Sequence, residues 1–168
     1  MTKLIRRLLL LALCTLAAGC ADAVLVSKMV NPPTVPLADA SADAEAKRCT
    51  PQPDLATIYI IREDIFAGQA ILFDALIDGR PLGRLARGTY FKATVPPGRR
   101  VVSFSGEAPF PDGVISGSEP VDAEAGSLYF LVLRMRSGPM AAPTHLERVD
   151  EAASRPLLAG ARLDKGGD

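Results

Sequence analysis

The sequence predicts an all-β domain, a single antiparallel β-sandwich of about seven strands. Short stretches rich in β-branched and aromatic residues recur between residues 56 and 149, which is typical of strands. Turn-forming Gly and Pro separate them at intervals of about 8–12 residues, the spacing of a sandwich. The segments between them lack the helical pattern that βαβ units require.

Two stretches are apolar on both faces, residues 57–62 and residues 128–136. A strand that is apolar on both faces is covered on both sides, so both are predicted to be central strands. Tyr59 and Leu131 lie midway along them, and we expect Leu131 to be almost fully buried beside Tyr129 and Leu133.

The remaining strands alternate or are short. Residues 71–77 place apolar side chains on one face and end at Asp78-Gly79, a strong tight-turn sequence. The other predicted elements are a return strand at 82–85, a half-buried strand at 90–95, a turn at 96–98, a strand with Val102 and Phe104 facing inward, a loop at 108–118, an edge strand at 119–123, a last strand at 145–149 and a helical turn at 151–159.

The N-terminus has the three parts of a secretory signal. Basic residues at positions 3, 6 and 7 precede an apolar run of about nine residues, which is too short to span a bilayer. The sequence Leu16-Ala17-Ala18-Gly19-Cys20 that follows resembles the bacterial lipobox, in which the cysteine thiol is acylated after cleavage before it. The alternative is an ordinary secretory signal with a coincidental cysteine.

This resemblance implies a protein held in the cell envelope by lipid on Cys20, with its domain facing the periplasm. Several acyl chains hold firmly where one holds weakly. Ala21 after the cysteine favours the outer over the inner membrane. The predicted organisation is a signal peptide at 1–19, a lipidated N-terminus and flexible Pro-rich tether at 20–54 with a short helix at 38–48, a β-sandwich at 55–160 and a loose tail at 161–168.

Several motifs resemble a family of bacterial lipoproteins, the Domain of Unknown Function 2846. They are turns and strands, which identify a fold and no chemistry: residues 46–48, 56–62, 77–83, 88–91, 95–98, 125–130 and 146–151. The resemblance covers roughly residues 46–160 and implies a lipid-anchored envelope β domain with no catalytic residues to carry over. A weaker likeness to PEGA surface modules covers about residues 71–106.

The side-chain inventory disfavours an enzyme. His145 is the single histidine, so a two-histidine metal site cannot form, and no Gly-x-Ser-x-Gly elbow or phosphate-binding loop occurs. We therefore expect no catalytic residues, no metal and no cofactor. Cleavage of the basic signal leaves a small net negative charge, which does not favour nucleic-acid binding.

One basic stretch is the candidate ligand site. Between Gly79 and Gly106 there are arginines and a lysine but no acidic residue, and guanidinium groups suit phosphates and carboxylates. If the turns converge, the site residues are Arg80, Arg84, Arg87, Arg99 and Arg100. Lipopolysaccharide phosphates, peptidoglycan carboxylates or an acidic envelope protein would then be partners. The alternative is that these charges solubilise a strand face and pair with nearby carboxylates.

Cys49 remains after Cys14 leaves with the signal and Cys20 takes the lipid. An odd cysteine in an exported protein indicates an intermolecular bridge or a free thiol. Cys49 also stands where the family resemblance predicts an aromatic residue, so no role is assigned to it.

Overall fold

A computed structural model describes residues 26–66, 68–107, 113–135 and 144–166. The chain forms two compact units, Met1–Pro32 and Pro33–Asp168. In the first unit residues 26–30 are helical. The predicted signal peptide and Cys20 lie outside the described residues.

The described part of the second unit contains nine strands and two helices. Their bounds are α1 Ala40–Lys47, β1 Ala56–Arg62, β2 Phe73–Ile77, β3 Arg80–Leu85, β4 Thr89–Val95, β5 Gly98–Glu107, β6 Val114–Ala123, β7 Leu128–Met135, β8 Thr144–Val149, α2 Glu151–Gly160 and β9 Arg162–Leu163. The strands form two packed sheets, sheet I with the order β8-β7-β1-β4-β9 and sheet II with the order β3-β2-β5-β6. The all-β sandwich predicted from the sequence is confirmed.

Sheet I holds the two strands that are apolar on both faces. All seven residues of β1 are buried, and it pairs with β4 on one side and β7 on the other. Tyr59 and Leu131 are both completely buried, as the sequence predicts. The two side chains belong to different cores, because sheet I is covered on both faces.

The first core lies between the two sheets. Ile60 and Leu131 from sheet I pack in one cluster with Phe73 and Phe104 from sheet II, whose rings meet edge to face with centroids 5.7 Å apart. The second core lies on the other face of sheet I, where Tyr59 stacks on Phe130 with centroids 5.0 Å apart. Its cover comes from the helices, including Ala46 of α1 and Leu158 of α2.

Two strand pairs of sheet I are parallel, which the expectation of a purely antiparallel sandwich did not include. They are β1 with β7 and β4 with β9. A parallel pair requires a long crossover connection. Here the connection between β1 and β7 contains the four strands of sheet II together with β4 of sheet I, after which the chain returns to the start of β1.

The segments on either side of the sandwich are more ordered than the sequence predicts. The helix predicted within 38–48 forms, but it packs on sheet I and buries Asp43 and Ala46, so this part of 20–54 is not a flexible tether. Within the tail expected to be loose over 161–168, Arg162 and Leu163 pair with β4 as β9, and Asp164 forms a bridge with Leu37. Residues 167–168 lie outside the described residues. α1 thus covers one face of sheet I, and β9 extends the sheet beside β4.

The segment predicted as a loop over 108–118 is partly strand. β6 begins at Val114 and pairs with β5 over ten residues. Its small polar residues, Ser116, Gly117 and Ser118, have weak strand propensity, but they are tolerated on an edge strand whose neighbour supplies the hydrogen bonds. The prediction of an edge strand at 119–123 is correct in kind and too short.

Candidate functional site

The five arginines of the candidate site lie toward opposite ends of the sandwich. The turn end carries the turns at 78–79, 96–97 and 124–127, and the loop end carries the connections at 63–72 and 86–88. Arg80, Arg99 and Arg100 lie at the turn end, and Arg84 and Arg87 lie toward the loop end. Arg80 and Arg84 are four residues apart on β3, which is about 13 Å along a strand. The structure therefore does not gather the five side chains into one site.

Arg100 holds the turn end together. Its Nη1 donates to Oδ2 of Asp78 at 3.0 Å, and its Nε and Nη2 donate to the carbonyl of Pro96 at 3.1 and 2.8 Å. Asp78 Oδ1 accepts from the Val101 N–H at 2.8 Å, and this bond, followed by Arg100, lowers the pKa of Asp78. Arg100 therefore joins two turns, and its donors are occupied by the protein itself.

Arg84 and Arg87 also have partners. Arg87 Nε lies 2.5 Å from Asp64 Oδ1, and its Nη1 donates to the Gln69 side chain at 2.7 Å. Arg84 is more loosely paired, with Nε 3.8 Å from Asp74 Oδ1 and both side chains largely exposed. Of the five candidate arginines, Arg80 and Arg99 are exposed and form no ion pair with the described residues. The alternative, in which these arginines pair with nearby carboxylates, thus fits Arg84, Arg87 and Arg100.

Arg62 is a buried cation that the sequence did not single out. It is only 2% exposed, yet its guanidinium donates to the carbonyls of Gly68, Ile71 and Leu85 at 2.6–2.8 Å and lies 4.9 Å from the Phe73 ring centroid. Burial, then the charge of Arg87, lowers the pKa of Arg62 to about 10. Three carbonyl acceptors satisfy the buried group, so its role is to fasten the 63–72 connection to β3.

A second polar group fastens α1 to sheet I. Asp43 accepts from Lys47 Nζ at 2.9 Å, from the Tyr90 hydroxyl at 2.9 Å and from the Leu163 N–H at 2.9 Å. Burial raises the pKa of Asp43, but the hydrogen bonds from Lys47, Leu163 and Tyr90 outweigh it and leave the pKa lowered. One carboxylate therefore joins α1, β4 and β9.

A small cleft, which we call the terminal cleft, lies where residues 34–36 and the C-terminal residues Asp164 and Gly166 meet β3 of sheet II. Its volume is about 220 Å³, and its walls are residues 34–36, Leu72, Gly83, Arg84, Asp164 and Gly166. The walls are held by main-chain contacts, since Lys165 N donates to the Pro36 carbonyl at 3.0 Å and Gly166 lies against Leu82. Gly166 has a φ of 84°, a conformation that favours glycine.

Asp164 is the polar residue of this cleft that lacks a full set of partners. It is 6% exposed, and its Oδ1 accepts from the Gly166 N–H at 2.9 Å. Its Oδ2 is closed off from solvent and has no hydrogen-bond partner among the described residues. Burial raises the pKa of Asp164, and the Gly166 N–H opposes this. Leaving such a group unsatisfied costs roughly 1–3 kcal/mol.

Cys49 and His145 are the other candidate groups that the sequence offers. Cys49 is free, buried and 3.5 Å from the Lys47 carbonyl. His145 lies exposed on β8 and lines a cleft of about 380 Å³ with Arg134 and Glu147, which pair with each other. No set of three or more His, Cys, Asp or Glu residues there is arranged to hold a metal.

Comparison with known proteins gives the family. The model of a family described as "Protein of unknown function (DUF2846)" matches residues 52–145, more than half of the chain. The chain belongs to this family. The match confirms the resemblance drawn from the turn and strand motifs, while the likeness to PEGA modules remains an expectation.

A relative in Haemophilus influenzae is 27% identical over 128 residues, which is 75% of this chain and 71% of the relative. That relative is described as an uncharacterized protein. No solved structure matches the chain. In the described residues no helix has the length and apolar character needed to cross a membrane.

Proposed function

We propose that this member of the DUF2846 family is a lipid-anchored, non-catalytic module of the cell envelope, with a structural or interaction role. The observation that carries the proposal is the sequence from Leu16 to Cys20, placed directly after a basic and apolar leader. The lipid on Cys20 would hold the protein to the membrane, and the outer membrane is preferred on the basis of Ala21. The domain would face the periplasm.

The architecture supports this role. The compact second unit starts at Pro33, so residues 21–32 separate it from the acylated cysteine. Sheet I is covered on both faces, whereas sheet II exposes its outer face, including Val101 at 42% and Val114 at 72%. An exposed sheet face is a surface that a partner could use, and it fits an interaction module.

The binding of an anionic envelope ligand by the arginine surface is less well supported. Arg100 is engaged with Asp78 and Pro96, and Arg84 and Arg87 lie away from it. Arg80 and Arg99 alone would give a site of two charges on the turn end. We therefore keep the structural or interaction role as the proposal.

Metabolic labelling with a palmitate analogue tests the anchor. The wild-type chain should take up label and fractionate with membranes, and Cys20→Ala should abolish the uptake. Cys49→Ala is the matched control, because Cys49 is buried in the folded unit and should leave labelling unchanged. Label on the Cys20→Ala chain would refute the anchor.

Photo-crosslinking in intact cells tests the interaction role. A photoreactive residue at Val101 or Val114 would probe the outer face of sheet II, with Leu37 as a position away from that face. A defined adduct formed from Val101 and Val114 but not from Leu37 is the expected result. Adducts that do not depend on position would count against a specific partner surface.

A further inference from the structure

The terminal cleft joins two features that point to a ligand. It is a concave space with largely apolar walls, including Val35, Pro36 and Leu72, and Gly83 adds no side chain to fill it. The same cleft contains Asp164, a carboxyl group that is more than nine-tenths buried and has one oxygen without a partner in the described residues. Buried carboxylates are normally paired or hydrogen-bonded through both oxygens, so Asp164 Oδ2 is an acceptor that lacks a donor.

We propose that the terminal cleft binds a primary alkylammonium group, with the ammonium donating to Asp164 Oδ2 and the methylenes packing on Val35, Pro36 and Leu72. An ammonium is a compact charge with three donors on a flexible apolar stem, which matches a single carboxylate among apolar wall residues. The volume of about 220 Å³ suits one such side chain and not a larger ligand.

Other ligand classes fit less well. An anion would face the carboxylate of Asp164 and would find only Arg84, which is two-thirds exposed and paired with Asp74 at the rim. A hard metal ion takes six or more oxygen ligands, and Asp164 is the one carboxylate among the described walls. The organic cation is therefore the class that satisfies the buried group.

Asp164 Oδ2 is closed off from solvent, so part of the cleft wall has to move before a ligand can reach this oxygen. The wall formed by residues 34–36 is the part suited to move. These residues belong to no helix or strand, and Pro36 is joined to the C-terminal segment by one bond, from Lys165 N to its carbonyl. Binding at this cleft would thus act on residues 34–36, which precede α1 in the chain.

An NMR titration of the full chain in detergent micelles at neutral pH tests the proposal. The probe is n-butylammonium, and n-butanol is the neutral control with the same apolar stem. The amide signals of Gly83 and Gly166 should shift saturably with n-butylammonium, and n-butanol should bind at least tenfold more weakly. A second titration uses a lysine whose backbone amino and carboxyl groups are both blocked. If it binds more tightly than n-butylammonium, the natural ligand is a lysine side chain of a peptide and not a free amine.

Asp164→Asn removes the charge and keeps an oxygen for the Gly166 N–H. We expect it to weaken n-butylammonium binding at least tenfold. Asp122→Asn, an exposed carboxylate on β6 at the opposite edge of sheet II, should change the affinity by less than twofold. Equal binding of n-butylammonium and n-butanol by the wild-type chain would overturn the proposal without any variant, and so would unchanged binding by Asp164→Asn.

Discussion

Leu131 is the most direct test of where the core lies. Its side chain is completely buried on β7, beside Ile60 of the neighbouring strand β1 and against the apolar side chains of sheet II. Replacing it with alanine removes contacts from both sheets at once. Because the strands on either side are fixed by their hydrogen bonds, the surroundings can collapse only partly into the space.

The expected loss follows from two terms. Full burial of a leucine side chain contributes about 1.5–3 kcal/mol, and the cavity left behind adds to this, so that measured Leu→Ala losses are about 2–5 kcal/mol. We expect Leu131→Ala to lie near 3–4 kcal/mol, a large part of a domain stability of about 5–15 kcal/mol. With a urea slope of about 2 kcal/mol per molar, the midpoint should fall by roughly 1.5–2 M.

Urea unfolding followed by tyrosine fluorescence measures this directly, since the chain has no tryptophan and Tyr59 and Tyr90 are buried. Arg99→Ala is the control, because Arg99 is exposed near the turn end and should cost about 0.5 kcal/mol or less. If Arg99→Ala proves as damaging as Leu131→Ala, the assignment of the core is wrong. An Arg99 effect of that size would also make the arginine stretch a structural or binding element.

Two carboxylates should show opposite dependence on pH. The pKa of Asp43 is lowered in the folded chain, so its stabilisation is present above the unfolded value of about 4 and is lost as the pH falls through the folded pKa. Asp43→Asn should therefore cost about 1–3 kcal/mol at pH 7 and progressively less as the pH falls below about 4 in urea titrations, and a constant cost would contradict the network. The pKa of Asp164 is raised, so the folded state favours the protonated form and stability falls as the pH rises through the folded pKa. Asp164→Asn should thus gain stability relative to the wild type between acidic and neutral pH, and a relative loss would show that the carboxylate is paired.

Strong local patterns made the centre of the fold predictable. The runs 57–62 and 128–136 correspond closely to β1 and β7, because residues apolar on both faces have a single favourable place, between two layers. The Asp78-Gly79 turn is found where predicted, with positive φ at both residues. The parallel pairing of these two strands was not predictable from such patterns, since a burial pattern is the same for a parallel and an antiparallel neighbour.

The candidate site was harder to predict, because charge composition does not determine geometry. The stretch from Gly79 to Gly106 is free of acidic residues, but its arginines pair with Asp64, Asp74 and Asp78 from neighbouring segments. A sequence window cannot show partners that come from another strand. Asp164 was missed because it directly follows β9, and a strand of two residues is too short to show a periodic pattern.

The segments that precede and follow the sandwich are held to it by specific contacts. Asp43 of α1 accepts from the Tyr90 hydroxyl, and Tyr59 donates to the Ala46 carbonyl at 2.8 Å. α1 is therefore part of the second core, and Leu37, which precedes it, forms a bridge with Asp164 in the C-terminal segment. Displacing α1 would expose the apolar face of sheet I, so we expect α1 to unfold together with the sandwich. A ligand in the terminal cleft, which contacts both segments, would act at their junction.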